Sequence, residues 1–128
     1  MADLPEDLRY TSDHEWARRG ADGLIEIGVT DYAQGELGDV VFVNLPKAGE
    51  KFAAQQAFGT IEAVKAVSDL FCPMAGEVAA FNADLDADPA AVNRSPYQDG
   101  WMIRLKPDDP AAFDALMDVA AYRAHIGA

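Results

Sequence analysis

Turn residues punctuate this chain at short intervals, and that spacing limits what it can fold into. Gly20-Ala21-Asp22-Gly23, Pro46-Lys47-Ala48-Gly49 and Pro73-Met74-Ala75-Gly76 separate apolar runs of five to six residues. Such runs are too short for core helices and suit strands. Leu24-Ile25-Glu26-Ile27-Gly28-Val29 alternates in part. Val40-Val41-Phe42-Val43-Asn44-Leu45 is the strongest strand and stops at Pro46. Residues 10–18, 57–61, 67–72, 77–82 and 101–105 complete the strand set.

Two helices are expected. Thr30 or Asp31 caps a short one through Leu37, closed by Gly38. Asp109 caps a C-terminal one over about 110–124, with Pro110 at its first position. Its Phe113, Leu116, Met117 and Ala120 follow helical spacing and are expected to face the sheet. Residues 84–99 are polar and proline-bearing, and read as a long surface loop with one helical turn near 89–92. The pattern is a mostly-β sandwich or partly closed barrel, in one domain of 128 residues.

Composition excludes several functions. Twenty-two acidic against ten basic residues give a formal net charge of −12, which disfavours nucleic acid and anionic membrane as partners. One cysteine, Cys72, allows no internal disulfide, and two distant histidines, His14 and His125, do not make a metal site. Cys72 lies inside an apolar run and reads as a small buried hydrophobe. Asp84-Leu85-Asp86-Ala87-Asp88 imitates a calcium loop, but Pro89 stands at its sixth position and Ser95 at its twelfth, where the loop needs glycine and glutamate. No phosphate-loop glycine pattern occurs. The acidic N-terminal stretch has no leader pattern and no run is long enough to span a membrane. A cytoplasmic monomer is expected, or a mitochondrial matrix protein if the chain is a processed form.

Lys65 remains. It sits in Glu62-Ala63-Val64-Lys65-Ala66-Val67-Ser68-Asp69, between two strand-like runs, so a hairpin over about 57–78 holds it at its tip. A lysine amine titrates near 10.4 in water and is a poor nucleophile unless desolvated. At an exposed tip, acylation by another enzyme fits better than catalysis by the lysine itself. Most lysines are simply solvated. The context of this one is Glu62 three residues before it and Gly76 eleven after it.

These residues carry a resemblance. Tyr10-Thr11-Ser12-Asp13-His14-Glu15-Trp16, Gly28-Val29-Thr30-Asp31-Tyr32-Ala33-Gln34, the stretch from Leu37 to Pro46 and the Lys65 segment match in order. Pro73 with Gly76-Glu77-Val78, Val92-Asn93 with Pro96-Tyr97, and Gly100-Trp101 follow. Over residues 10–106 the chain resembles the glycine cleavage H-protein family of lipoyl carriers. The resemblance implies a lipoyl-domain-like barrel–sandwich hybrid (hammerhead) and lipoate in amide linkage to Lys65. It implies a carrier, not an enzyme, with no catalytic residue and no metal. Its partners would be a pyridoxal-phosphate glycine decarboxylase, a tetrahydrofolate-dependent aminomethyltransferase, dihydrolipoyl dehydrogenase and a lipoylating enzyme. It also implies that Glu62 and Gly76 serve recognition by the lipoylating enzyme, and that Glu15 and Asp69 line a cleft for the aminomethyl-loaded arm.

The family usually has serine where Ala63 stands. Two alternatives stay open: an H-like donor in lipoate relay, and a small hydrolase or binding module using His14, Glu15 and Asp69. A biotin carrier is disfavoured, because Val64 and Ala66 flank the lysine where methionines are usual.

Overall fold

Tyr10 pairs with Trp16 and Arg9 with Ala17, so residues 10–18 form a hairpin and not a single edge strand. In the computed structural model, which describes residues 4–127, β1 (Arg9–Tyr10) turns through residues 11–14 into β2 (Glu15–Arg19). His14 takes φ 70° in that turn, the left-handed residue that a tight hairpin loop needs. β3 (Ile25–Val29) pairs with β2 along its whole length.

α1 (Asp31–Leu37) begins where sequence placed it. Thr30 Oγ1 accepts the Ala33 N–H at 3.1 Å, which satisfies one of the amides a helix start leaves open. Gly38 ends it at φ 81°, where a side chain would be strained. β4 (Val40–Asn44), β5 (Lys51–Phe52), β6 (Ala57–Ala63), β7 (Val67–Phe71) and β8 (Gly76–Phe81) follow. Sequence reading missed β5, a two-residue strand.

Residues 84–99 are more than a surface loop. They hold two short helical turns, α2 (Asp84–Ala87) and α3 (Ala91–Arg94). Leu85, Ala91, Val92, Pro96 and Tyr97 are buried, so apolar anchors fix the segment to the body of the fold. β9 runs over Ile103–Pro107, two residues later than expected at each end. The expected helix over 110–124 is split in two. Pro110–Ala115 is a 3₁₀ turn capped by Asp109, Leu116 is extended, and Met117 bridges Tyr10. Only then does α4 (Val119–Ile126) start, capped by Asp118. Pairing with β1 outbids helix continuation there, because it satisfies the Met117 amide and carbonyl with Tyr10 at 3.0 and 2.8 Å.

Two antiparallel sheets result, β1-β2-β3-β9-β8-β5 and β4-β6-β7. Ile25, Ile27, Val29, Val43, Ile61, Leu70, Val78 and Leu105 fill the main core. A second cluster gathers Leu4, Leu8, Tyr10, Trp16, Tyr97 and Tyr122 under α4. Each fully buried large side chain contributes about 1.5–3 kcal/mol. This is a two-sheet, mostly-β fold with short helices between and after its strands, and among the described residues no helix is long and apolar enough to cross a membrane.

Candidate functional site

Lys65 stands at the tip of the β6–β7 hairpin, exposed. The tip is held from two sides. Ala63 N–H donates to Ala66 O at 2.7 Å across the turn, and Val64 N–H donates to Asp39 O at 3.0 Å. The second bond ties the tip to the link between α1 and β4. The lysine stem runs over that link: a Cβ at Gly38 would come within 3.1 Å of Lys65 Cε. Lys65 has no ion pair among the described residues.

The link is itself clamped. Asn93, on α3, donates from Nδ2 to Gln34 Oε1 and Gly38 O, both at 2.9 Å, and accepts the Val40 N–H on Oδ1 at 2.8 Å. One amide side chain thus holds the end of α1 to the start of β4. Sequence reading noted Asn93 only in a matching dipeptide. An isolated asparagine in a polar segment gives no signal of three partners so distant in sequence.

Ala63 faces the core at 8% exposure, opposite Val40. Its methyl group therefore packs inward, away from solvent at the tip. Glu62 is exposed and lies in register with Phe42 and Val67. Gly76 is elsewhere, in the other sheet, paired with Phe52 and Pro107. It does not adopt positive φ, contrary to the turn role read from sequence. A Cβ there would meet Lys106 O at 2.5 Å, so close passage of β9 accounts for the glycine.

Beside the hairpin lies a cleft of about 300 Å³. Its walls are the β1–β2 turn, α1 and β7, with Glu15, Tyr32, Leu37, Ser68 and Asp69 among the lining. Glu15 and Asp69, paired in the sequence reading, thus share this cleft. Larger surface grooves, such as the one of about 490 Å³ beside Asp84 and Arg104, contain none of the expected site residues.

Glu15 is only 2% exposed. Thr11 Oγ1 donates to its Oε1 at 2.8 Å, and the Phe71 amide approaches its Oε2 at 3.4 Å. Burial pushes its pKa up to about 8, against the opposing pull of these two donors. At neutral pH most of this carboxyl is protonated. Asp69 differs in being exposed. His14 also lines the cleft, but its Nδ1 meets Tyr122 Oη at 2.9 Å and not Glu15. Burial, and then the nearby His125, lower its pKa. Cys72 is fully buried, donates to Met74 O, and has its pKa pushed up to about 11 by burial, which leaves it inert at neutral pH. No group of three His, Cys, Asp or Glu able to hold a metal occurs among the described residues.

The arrangement offers a reachable primary amine beside a small apolar cleft with a buried proton-bearing carboxyl. The one histidine lining the cleft is engaged by a tyrosine.

The family model for the glycine cleavage H-protein matches residues 8–127. The glycine cleavage system H protein of Opitutus terrae is 50% identical over 127 residues, spanning 99% of this chain and 100% of that protein. Its counterpart in Chlorobium limicola is 53% identical over 125 residues, spanning 97% and 98%. The crystal structure of a glycine cleavage system H protein from Mycobacterium marinum matches with a TM-score of 0.88 at 37% identity, covering 98% of this chain and 100% of that one.

Proposed function

The chain belongs to the glycine cleavage H-protein family, and from that premise we propose that it is the lipoyl carrier of the glycine cleavage system, loaded at Lys65. The supporting observation is the exposed Lys65 amine on a doubly tethered tip beside the Glu15 cleft. Its relatives are glycine cleavage system H proteins, which favours this reading over lipoate relay and over an intrinsic hydrolase.

Lipoate in amide linkage supplies a dithiolane able to take up a one-carbon amine and two electrons. The chain's own residues do the rest. Lys65 presents the attachment nitrogen clear of ion pairs. The alkyl walls of Leu37, Val29 and Ile61 keep water from whatever enters the cleft. Glu15, mostly protonated through burial, ionises when a cationic amine arrives and releases its proton to solvent, since an opposite charge favours the carboxylate. Asp69 at the wall adds negative charge.

The partners in this reading are a pyridoxal-phosphate decarboxylase, a tetrahydrofolate-dependent aminomethyltransferase, dihydrolipoyl dehydrogenase and a lipoylating enzyme. The chain itself acts as a carrier component of that system, in the cytoplasm.

Intact mass of the protein from a lipoylation-competent host tests the reading. The expected result is a lipoyl adduct on the Lys65 peptide, absent in Lys65→Arg, with an anodic native-gel shift for the charge removed. The loaded form should support glycine–bicarbonate exchange with the partner enzymes. An unmodified Lys65 overturns it.

A further inference from the structure

The outer face of the three-stranded sheet is apolar next to Lys65. Five large hydrophobic side chains are exposed among the described residues, and four of them lie here: Val41 (55%), Phe42 (45%), Val64 (75%) and Val67 (66%). Phe42, Glu62 and Val67 sit side by side across β4, β6 and β7, so the two apolar groups are about 10 Å apart across the glutamate. The register slips between Val40 and Phe42, and Val40 and Val43 on either side are buried. The bulge inserts one extra residue, so Val41 and Phe42 both stay outward in succession. Exposed carboxylates accompany the patch: Glu62 between Phe42 and Val67, Asp39 bonded through its carbonyl to the Val64 amide, and Asp69 two residues beyond Val67. Singly scattered exposed hydrophobics need no explanation, but a grouped patch beside a reactive side chain does.

We infer that this face is the docking surface for the enzyme that acylates Lys65, whose own surface carries an apolar centre rimmed by lysine or arginine. The inference rests on the proposed attachment of lipoate at Lys65. Reach selects this occupant. A lysine amine extends only about 6 Å from its Cα, so the acyl-donor site has to close over the hairpin tip and cover Val64, Val67 and Phe42. A lipoyl chain about doubles that reach, so an enzyme working on its far end stands off the patch. In the acylation, the deprotonated amine forms the amide C–N bond as the bond from the acyl carbon to the adenylate oxygen breaks. The amine proton passes to solvent, AMP leaves, and no electrons are exchanged. The acidic rim supplies the complementary charge, in a chain with only Lys47, Lys51 and Lys65 as cations between Leu24 and Val92.

The test uses the unlipoylated full chain with an ATP-dependent lipoate ligase, lipoate and ATP, following the mass of the Lys65 peptide over time. The double variant Phe42→Ser/Val67→Ser should lose at least tenfold in kcat/KM, mostly through KM, and Asp39→Lys should also slow. Phe81→Ser, an equally exposed aromatic away from the patch, should react like the parent chain. Thermal midpoints by circular dichroism should show all three variants folded. Once loaded by long incubation, the double variant should be reduced by dihydrolipoyl dehydrogenase at the parent rate. A double variant acylated as fast as the parent chain overturns the inference and leaves Lys65 as the attachment site. A loaded double variant reduced slowly overturns the choice of occupant. A parent chain not acylated at Lys65 overturns the attachment reading and this one together.

Discussion

His14 Nδ1 lies 2.9 Å from Tyr122 Oη, which binds the turn at the cleft mouth to α4 across 108 positions of sequence. Tyr122 Oη also meets Thr30 Oγ1 at 2.8 Å, so one phenol joins the turn, the cap of α1 and the last helix. Its ring stacks on Tyr10 at 4.7 Å. Tyr122→Phe keeps the stack and removes both bonds. It should cost about 1–3 kcal/mol, measured by urea unfolding.

The same contact predicts a pH effect. Burial depresses the folded-state pKa of His14. Its contribution is therefore fully present above pH 6.5 and lost as pH falls through the lowered value. In Tyr122→Phe the ring is less confined, so an NMR titration of His14 should show its pKa rising toward 6.5. An unchanged His14 titration would show that the phenol does not hold the ring.

Glu15 works in the opposite direction. Its folded pKa is about 8 against a reference of 4.5, so the folded state holds a proton that the unfolded chain gives up between those values. Its contribution declines as pH rises from about 4.5 to 8 and is flat beyond. Relative to the parent chain, Glu15→Gln should gain stability across that window, reaching a few kcal/mol at pH 9. Urea midpoints at pH 5, 7 and 9 for both proteins check it, and parallel pH profiles would refute it.

Asn93→Ala removes the clamp between α1 and β4. A loss of about 2–3 kcal/mol is expected, because it leaves the Val40 amide without its partner. Hydrogen exchange should speed at Val40 and also at Val64, whose amide bonds the neighbouring Asp39 carbonyl. Faster exchange at Val40 alone would show that the clamp does not reach the lysine tip.

Leu85→Ala should cost about 2–5 kcal/mol despite its place in a polar, acidic stretch. Leu85 is 1% exposed and packs in the main core. Ala87→Ser, two residues on and exposed at the end of α2, should fall within about 0.5 kcal/mol. Paired thermal melts distinguish an anchored segment from a tolerant loop.

Those predictions mark where the sequence was legible. Features set by local chemistry were readable: the Thr30 cap, the Gly38 terminator, the Pro46 stop and the hairpin around Lys65. Features set by distant pairing were not. Helical spacing over residues 110–124 was genuine, yet Met117 bonds Tyr10 and breaks the helix. Gly76 reads as the last residue of the turn after Pro73, whereas it opens β8 and the close passage of β9 governs it. Glu15 and Asp69 came from family likeness. Their shared cleft depends on β7 lying against the β1–β2 turn, a tertiary juxtaposition with no local signature. The Val41–Phe42 bulge was hidden for the same reason, since an unbroken apolar run gives no sign of where its register slips.

β7 is an outer strand of its sheet, with Ser68, Asp69 and Leu70 forming a wall of the cleft and the Phe71 amide turned toward Glu15. Unprotected outer strands recruit copies of themselves. Here a second molecule would have to displace Glu15 from the Phe71 amide before it could pair with the end of this strand. The cleft thereby also guards the hairpin against strand exchange and fibre growth, so changes that widen it should be watched for precipitation.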